Sequence, residues 1–419
     1  MPTRNDHREP TKRRPLLSVE EALGLLLAHA RPIEGTEPVP IMEGLGRVLA
    51  EPLYSAIDVP GWDNSAMDGY ALRAADLVPT GGLLRVAQRI PAGAAGKPLE
   101  PGTAARIFTG APVPQGADTV VIQEVCSTQG DSVQVPVDVR AGANIRRAGE
   151  DIAAGSEVLA AGTRLAPQHL GLAASVGVPE IAVYRRLRVA VFSSGDELVM
   201  PGDPLGPGQI YNSNRFTLRG LLAAMGCEVT DLGIVEDTLE ATVETLSKAA
   251  READLILASG GVSVGEEDHV KPAVERLGSL DLWRVAIRPG KPLAFGHIGV
   301  RRTPFIGAPG NPVSLFVTFC LFARPFIRRL QGMEEVVDAQ TFRVRAGFEW
   351  TKPAERREFL RGRLAPAADG EPEVTLYPSR SSAVLSSVVW ANGLVVVAEG
   401  QVLKKGDRVS FLPFSELLT

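Results

Sequence analysis

LRVAVFSSGDE, Leu187 to Glu197, is the stretch whose reading decides the fold. Arg188 to Phe192 has the form of a strand buried on both faces, and it opens directly into a polar loop carrying Gly195. Downstream, Asn212 or Ser213 can cap a helix with Leu218, Leu221, Leu222 and Met225 on one side, closed by Gly226. Cys227 to Val229 and Leu232 to Val235 read as extended. A helix opened by Asp237 with Glu240 follows, lined by Leu239, Val243, Leu246 and Ala250. Asp254 to Ser259 is another strand, Asp268 can cap a helix through Val274 and Leu277, and Trp283 to Ile287 extends again. Phe305 to Gly307 then leads into an apolar helix from Val313. This alternation predicts a doubly wound, mainly parallel α/β sheet with helices on both faces over residues 186–331.

Outward from that domain the pattern changes twice. On the N-terminal side, Ser18 and Glu21 ahead of Leu23, Leu26 and Leu27 have the spacing of a capping box, and Pro32 ends the helix. Residues 54–155 carry short β-branched runs such as Ala117 to Val121 and Val133 to Val137 between Gly, Pro and Asp, which predicts a mostly β module. Helical spacing returns over Ala166 to Val176, with Leu170, Ala173 and Ala174 on one side. Residues 16–53 and 156–185 are therefore expected to form one discontinuous region interrupted by the β module. Past residue 332, the short runs Val374 to Tyr377, Leu394 to Val397 and Val409 to Leu412 predict a small β domain to 419. Residues 1–15 are polar and read as a flexible tail.

Composition narrows the function classes. A chain of 419 residues, 45% hydrophobic and 22% charged, is a multidomain globular protein rather than a disordered one. Its 43 glycines and 32 prolines imply many tight turns without reaching low complexity. A net charge of −5 argues against a basic nucleic-acid or membrane-surface protein, so an anionic ligand needs a local cationic pocket. Cys126, Cys227 and Cys320 stand far apart without a CxxC, and the five histidines show no HxxxH or HxH spacing. The longest apolar run, Val313 to Ala323, is far short of the roughly 20 residues that span a bilayer. A cytoplasmic protein is expected.

In an open α/β sheet, ligands bind beyond the carboxyl ends of the strands, where loops and helix N-termini converge. The loops expected there are Ser193 to Glu197, Ser259 to Gly265, Arg288 to Pro292 and Gly307 to Pro312. Ser194, Gly195, Gly260, Gly261, Ser263, Gly265, Pro309, Gly310, Asn311 and Pro312 give them glycine-rich, proline-shaped backbones suited to phosphate, and Arg288 and Lys291 add positive charge. Neither GxxxxGK[ST] nor GxGxxG occurs, so the phosphate site is of another kind. Glu197, Asp237 and Asp268 crowd the same loops, as carboxylates holding a hard cation such as Mg²⁺ do. Blander readings stand beside these: N-caps for Asp237 and Asp268, solvent for Glu197 and Lys291, and ordinary turns for the loops. Gly261 to Gly265 also has the form of a G-x-S-x-G elbow, with Asp281 and His297 in hydrolase order, which leaves a Ser263 nucleophile as an alternative.

The β module contributes Asp58 to Tyr70, and near it Arg106 to Gly110 and Asn144 to Asp151. Together with the loops above, DNSAMDGYAL (Asp63 to Leu72), RIFTGAPVPQGADTVV (Arg106 to Val121), NIRRAGEDI (Asn144 to Ile152), SSGDEL (Ser193 to Leu198), SGGVSVGEED (Ser259 to Asp268), RPGKP (Arg288 to Pro292) and GAPGNPVS (Gly307 to Ser314) resemble the MoeA family of molybdenum insertases, over roughly residues 16–415. The resemblance implies a dimerisation region from both flanks, an inserted β domain, a molybdopterin-binding α/β domain and a C-terminal β-barrel-like domain. It implies a homodimer whose cleft joins the α/β domain of one subunit to the inserted domain of the other. The implied reaction takes adenylylated molybdopterin and molybdate and releases AMP, with Mg²⁺. Residue by residue, Glu197, Asp237 and Asp268 become metal or catalytic carboxylates, while Asp63, Thr109 and Asp151 belong to the cleft from the inserted domain. Asp268→Asn is expected to reduce AMP release. No nucleic acid or membrane partner is implied, and a noncatalytic molybdopterin-binding scaffold is the further alternative. Two departures stand out: Ser381-Ser382-Ala383 replaces a Gly-Ser-Gly turn, and Ala308 replaces a leucine.

Overall fold

In the computed structural model, residues 16–261, 269–290, 292–334 and 339–418 are described. They divide into two compact units. One comprises residues 38–45 and 49–182; the other comprises the described residues up to 37, residues 46–48 and those from 183 onward.

In the larger unit, Glu228–Val235, Arg188–Ser194, Leu255–Ser259 and Thr303–Ala308 lie side by side as parallel strands. Pro292–Ile298 and Gly278–Arg284 complete the sheet antiparallel at one edge. Burial on both faces explains the unbroken apolar runs. Val189, Val191, Leu255 and Leu257 face a core shared with Leu218, Leu221 and Leu222. Ala190, Phe192, Ile256 and Ala258 face the opposite core, with Leu246, Ala249 and Val274. The N-terminal helix, Val19–Ala28, has the expected capping box, with Glu21 N–H on Ser18 Oγ at 3.1 Å and Ser18 N–H on Glu21 Oε2 at 2.8 Å. Its Ala22 and Leu26 enter the first of these cores.

Several boundaries differ from the sequence reading. The two extended pieces after Cys227 are one strand. The helix Leu239–Glu252 is capped by Thr238, whose hydroxyl accepts Ala241 N–H at 3.2 Å; Asp237 is not the cap. The apolar helix starts at Pro312 and runs on through a π-helical stretch, Phe319–Ala323, into Arg324–Leu330. Pro325 lacks an N–H and would crowd the carbonyl one turn back in a regular helix, and the widened turn relieves that clash.

The C-terminal part is a closed five-stranded barrel. Arg357–Pro366 pairs with both Pro372–Leu376 and Gly393–Val397, and the circuit closes through Phe342–Ala346 and Arg408–Pro413. Phe342–Ala346 and Arg357–Pro366 were not anticipated, because their Arg and Glu content hides the alternation. Val344, Leu360, Val374, Val395 and Phe411 fill the barrel. Ile287–Arg288 leaves the α/β sheet and pairs parallel with the barrel strand, Ile287 opposite Arg357 and Arg288 opposite Glu358.

The smaller unit holds a six-stranded sheet in the order Thr119–Ile122, Gly69–Leu72, Thr103–Ile107, Leu83–Ile90, Ser132–Gln134, Ser127–Gln129. It is antiparallel except for one parallel pair, Leu83–Ile90 with Thr103–Ile107.

One half-buried ion cluster secures the foot of the α/β sheet. Asp254, 5% exposed, accepts from Arg185 at 2.6 and 2.9 Å and from Arg188 at 3.1 Å, with the Arg188 backbone N–H at 3.0 Å. Burial opposes its charge, but the side-chain bonds from Arg185 and Arg188 prevail and hold its pKa at about 2. A depressed carboxylate contributes stability above its unfolded pKa and loses it as pH falls through the folded value. Asp254→Asn is therefore expected to cost about 2 kcal/mol at pH 7. The gap should close between roughly pH 4 and 2. Urea denaturation across that range checks it, and a pH-independent gap would contradict the argument.

Candidate active site

The four parallel strands end level with one another. Ser194 lies opposite Val235, Ser193 opposite Ser259, and Ser259 opposite Ala308, so the loops that follow emerge on a single rim. The chain order reverses between Arg188–Ser194 and Leu255–Ser259, the point where loops diverge and leave a crevice. A cleft of about 1080 Å³ opens there. Ser194, Gly195, Glu197, Asp237, Gly260, Gly261, Arg288, Pro309, Gly310, Asn311 and Pro312 all line it. Ser263, Gly265, Asp268 and Lys291 lie outside the described residues.

The backbone makes this convergence possible. Gly195 has φ +146°, and a Cβ there would overlap the carboxylate of Glu197, which folds back over it. Gly260 has φ +86°, its N–H donates to the Ala308 carbonyl at 3.2 Å, and an added Cβ would lie 2.8 Å from the Ser194 carbonyl oxygen. Gly260→Ala is expected to destabilise the unit by about 1–3 kcal/mol and to displace the strand ends that shape the cleft. Thermal melting and ligand titration on one sample check this; unchanged values in both would contradict it.

Because Thr238 takes the cap, Asp237 is free to face the cleft, where its Oδ1 accepts the Ser194 hydroxyl at 3.2 Å. Glu197, exposed, lines the same cleft. Among the described residues no group of three His, Cys, Asp or Glu is positioned to hold a metal. Two carboxylates from separate loops remain an oxygen-donor set of the kind Mg²⁺ uses together with substrate phosphates and waters.

Further cleft residues carry no binding signal in the sequence. Tyr211, Asn214, Arg356, Ser382 and Ala383 line it, and Asn212 is legible only as a helix cap. The last three of the first group come from the C-terminal part. Val313 N–H donates to the Ser382 carbonyl at 3.0 Å, which seats the altered turn against the first turn of the apolar helix. Ala308 is buried in the core and not in the cleft. Asp281 and His297 are absent from the lining. His297 packs against His29 and Phe295 at centroid distances of 5.3 and 5.1 Å, and burial, with Arg302 and His29 nearby, pushes its pKa down.

Asp63, Thr109 and Asp151 belong to the other unit, where hydrogen bonds knit their loops together. Asp63 accepts from Ala148 N–H at 2.9 Å and Arg147 at 2.6 Å; these bonds, the backbone one first, hold its carboxyl below the usual range. Thr109 donates both its N–H and its hydroxyl to Asp68 Oδ1, each at 2.8 Å, and these bonds lower the pKa of Asp68. Asp151 N–H donates to the Val59 carbonyl at 3.0 Å.

A doubly wound domain with a glycine- and proline-rich crevice, joined to a β barrel and accompanied by a separate β unit, defines a multidomain ligand-binding enzyme fold. Residues 17–177 match the MoeA N-terminal region (domain I and II), residues 190–329 the probable molybdopterin binding domain, and residues 343–414 the MoeA C-terminal region (domain IV). A molybdopterin molybdenumtransferase of Haemophilus influenzae is 39% identical over 407 residues, 96% of this chain and 100% of that protein. One of Nostoc sp. is 38% identical, covering 88% of this chain and 86% of its own. The crystal structure of the molybdopterin biosynthesis moeA protein from Pyrococcus horikoshii OT3 superposes with a TM-score of 0.81 at 28% identity, over 95% of this chain and 100% of that one. The chain belongs to the MoeA family of molybdopterin molybdenumtransferases. No described helix is long and apolar enough to cross a membrane.

Proposed function

We propose that the protein inserts molybdenum from molybdate into adenylylated molybdopterin with release of AMP. The observation that carries this reading is the gathering of four separate loops, with Glu197, Asp237 and Arg288, around one cleft. Breaking a phosphoanhydride beside a second oxyanion concentrates negative charge, so preorganised cations and donors lower the barrier mainly by electrostatics. Arg288 and Arg356 supply fixed positive charge on the cleft wall. Glu197 and Asp237, with Asp268 beyond the described residues, would hold Mg²⁺. Bound there, that ion would neutralise phosphate charge and polarise the leaving oxygen. The Ser194 hydroxyl orients the Asp237 carboxylate, and Pro309 and Pro312 stiffen the loop that meets the phosphate end.

The reading extends to a cytoplasmic homodimer in which residues 16–53 and 156–185 form the dimerisation region. Asp63, Thr109 and Asp151 would complete the partner's cleft. The hydrogen bonds to Asp63 and Asp68 hold that loop cluster together, which supports its having one fixed shape. Purified protein given adenylylated molybdopterin and Mg²⁺ should release AMP only when molybdate is added. Binding without release would favour a scaffold, and fluorophosphonate labelling of Ser263 would favour a hydrolase.

A further inference from the structure

The smaller unit brings Asp68 and Thr109 together through the ladder between Gly69–Leu72 and Thr103–Ile107. Gly69 lies opposite Ile107, so the residues just outside that pair, Asp68 on one strand and the turn from Phe108 to Thr109 on the other, are neighbours. A Cβ on Gly69 would overlap the Val121 carbonyl, and the close approach therefore depends on glycine. The turn is braced from several sides. Gly110 N–H donates to the Ser65 carbonyl at 2.8 Å, Ser65 N–H to the Ala111 carbonyl at 3.0 Å, and Gln123 N–H to the Asp68 carbonyl at 3.1 Å. The Arg106 guanidinium donates to the Gly69 carbonyl at 2.8 Å and lies 4.6 Å from the centre of the Phe108 ring. Within this frame a single oxygen, Asp68 Oδ1, takes both the N–H and the hydroxyl of Thr109, each at 2.8 Å.

That pairing fixes which way the Thr109 hydroxyl points. Threonine has one O–H to give and an ionised carboxylate has none, so Thr109 is the donor. Its only hydroxyl proton is committed to Asp68, while the hydroxyl oxygen, on an exposed residue, accepts no bond among the described residues. Phosphate and molybdate present accepting oxygens, and this hydroxyl has no second proton to offer them. What it can take is a hydrogen bond from a ligand N–H or from an ordered water, and the carboxylate behind it strengthens that bond by polarising the O–H. We infer that Asp68 is a positioning residue for Thr109: by holding the hydroxyl proton it turns the oxygen outward as an acceptor, so that Thr109 receives a hydrogen bond from the substrate or its water instead of giving one to an oxyanion. This rests on the function proposed above, in which Thr109 faces the substrate, and adds to it a residue and a direction of bonding.

The test is a double-substitution cycle in the full chain, read as kcat for molybdate-dependent AMP release and as melting temperature. Asp68→Ala frees the hydroxyl and should lower kcat about tenfold. Asp68→Asn should recover most of that loss, because the Thr109 N–H draws the amide oxygen into the Oδ1 position and the hydroxyl keeps its acceptor. Thr109→Val removes the hydroxyl and keeps the backbone N–H, so in that background Asp68→Ala should cost less than about a further twofold. A brace that served only the shape of the loop would act through the N–H and lose as much in both backgrounds. Carbon NMR of the Asp68 carboxyl gives a readout independent of turnover and of whether Asp68→Ala folds. Thr109→Val should raise the carboxyl's lowered pKa toward its ordinary value, and Thr109→Ser should not. The inference is overturned if Asp68→Ala keeps or raises kcat, as it would were the freed hydroxyl a donor to an oxyanion. It is equally overturned if Asp68→Ala costs the same in both backgrounds, or if Thr109→Val leaves the carboxyl's titration unchanged. With a wild type that releases AMP, those outcomes leave the proposed reaction standing; a wild type that releases none with molybdate present defeats the reaction and this role with it.

Discussion

Asp237→Asn is expected to lower molybdate-dependent AMP release by about 10²–10³-fold, the range seen when one preorganised electrostatic element is removed from a reacting centre. The amide is nearly isosteric and still accepts the Ser194 hydroxyl, and Thr238 rather than Asp237 caps the following helix. The fold should therefore be untouched, and the melting temperature should move by less than about 2 °C. The loss should appear chiefly in kcat, and, on the role proposed for Asp237, raising Mg²⁺ should recover part of it, because the neutral side chain would weaken cation binding without closing the cleft. Wild-type turnover at ordinary Mg²⁺ would remove Asp237 from the catalytic set.

The second large effect lies outside the α/β domain. Arg361 is only 2% exposed, yet its guanidinium donates to Ser387 Oγ at 3.0 Å and to the carbonyls of Ser379 and Ser381 at 2.8 and 3.2 Å. Burial pushes its pKa down, so those acceptors, with Glu358 nearby, are what keep its charge tolerable. Arg361→Met fills much of the volume and strands the two carbonyls. A stability loss of about 3 kcal/mol is expected, from three lost bonds and the desolvated acceptors. Ser382 and Ala383 of the same turn line the cleft, so the surviving folded enzyme should show a KM several-fold higher with kcat retained. Denaturation together with steady-state kinetics checks both parts, and Arg361→Lys should restore part of the stability. An unchanged KM in a destabilised enzyme would show that the turn does not shape the site.

The α/β domain was legible because its strands are buried on both faces, which leaves runs such as Val189 to Phe192 with no polar interruption. The barrel was harder to read. Arg357–Pro366 buries Glu358 and Arg361 on its two opposite faces, so a strand interior looks like a solvated loop until its buried partners are known. At the cleft, Glu197, Asp237 and the glycine-proline loops announce themselves by residue type and by their position after strands. Asn212 and Asn214 do not, because an asparagine beginning a helix is explained by capping alone. Arg356 and Ser382 reach the cleft from a part of the chain whose contact with it depends on tertiary pairing that no local pattern encodes.

The parallel pairing of Ile287–Arg288 with Arg357–Glu358 means that the Arg288 to Gly290 turn hangs from the barrel as much as from the sheet. Arg357 N–H also donates to the Ala286 carbonyl at 2.9 Å. The C-terminal module is thus not an interchangeable cassette. Removing the barrel, or tilting it, would unfasten the arginine-bearing lip of the crevice, because a short rung of main chain ties the two together.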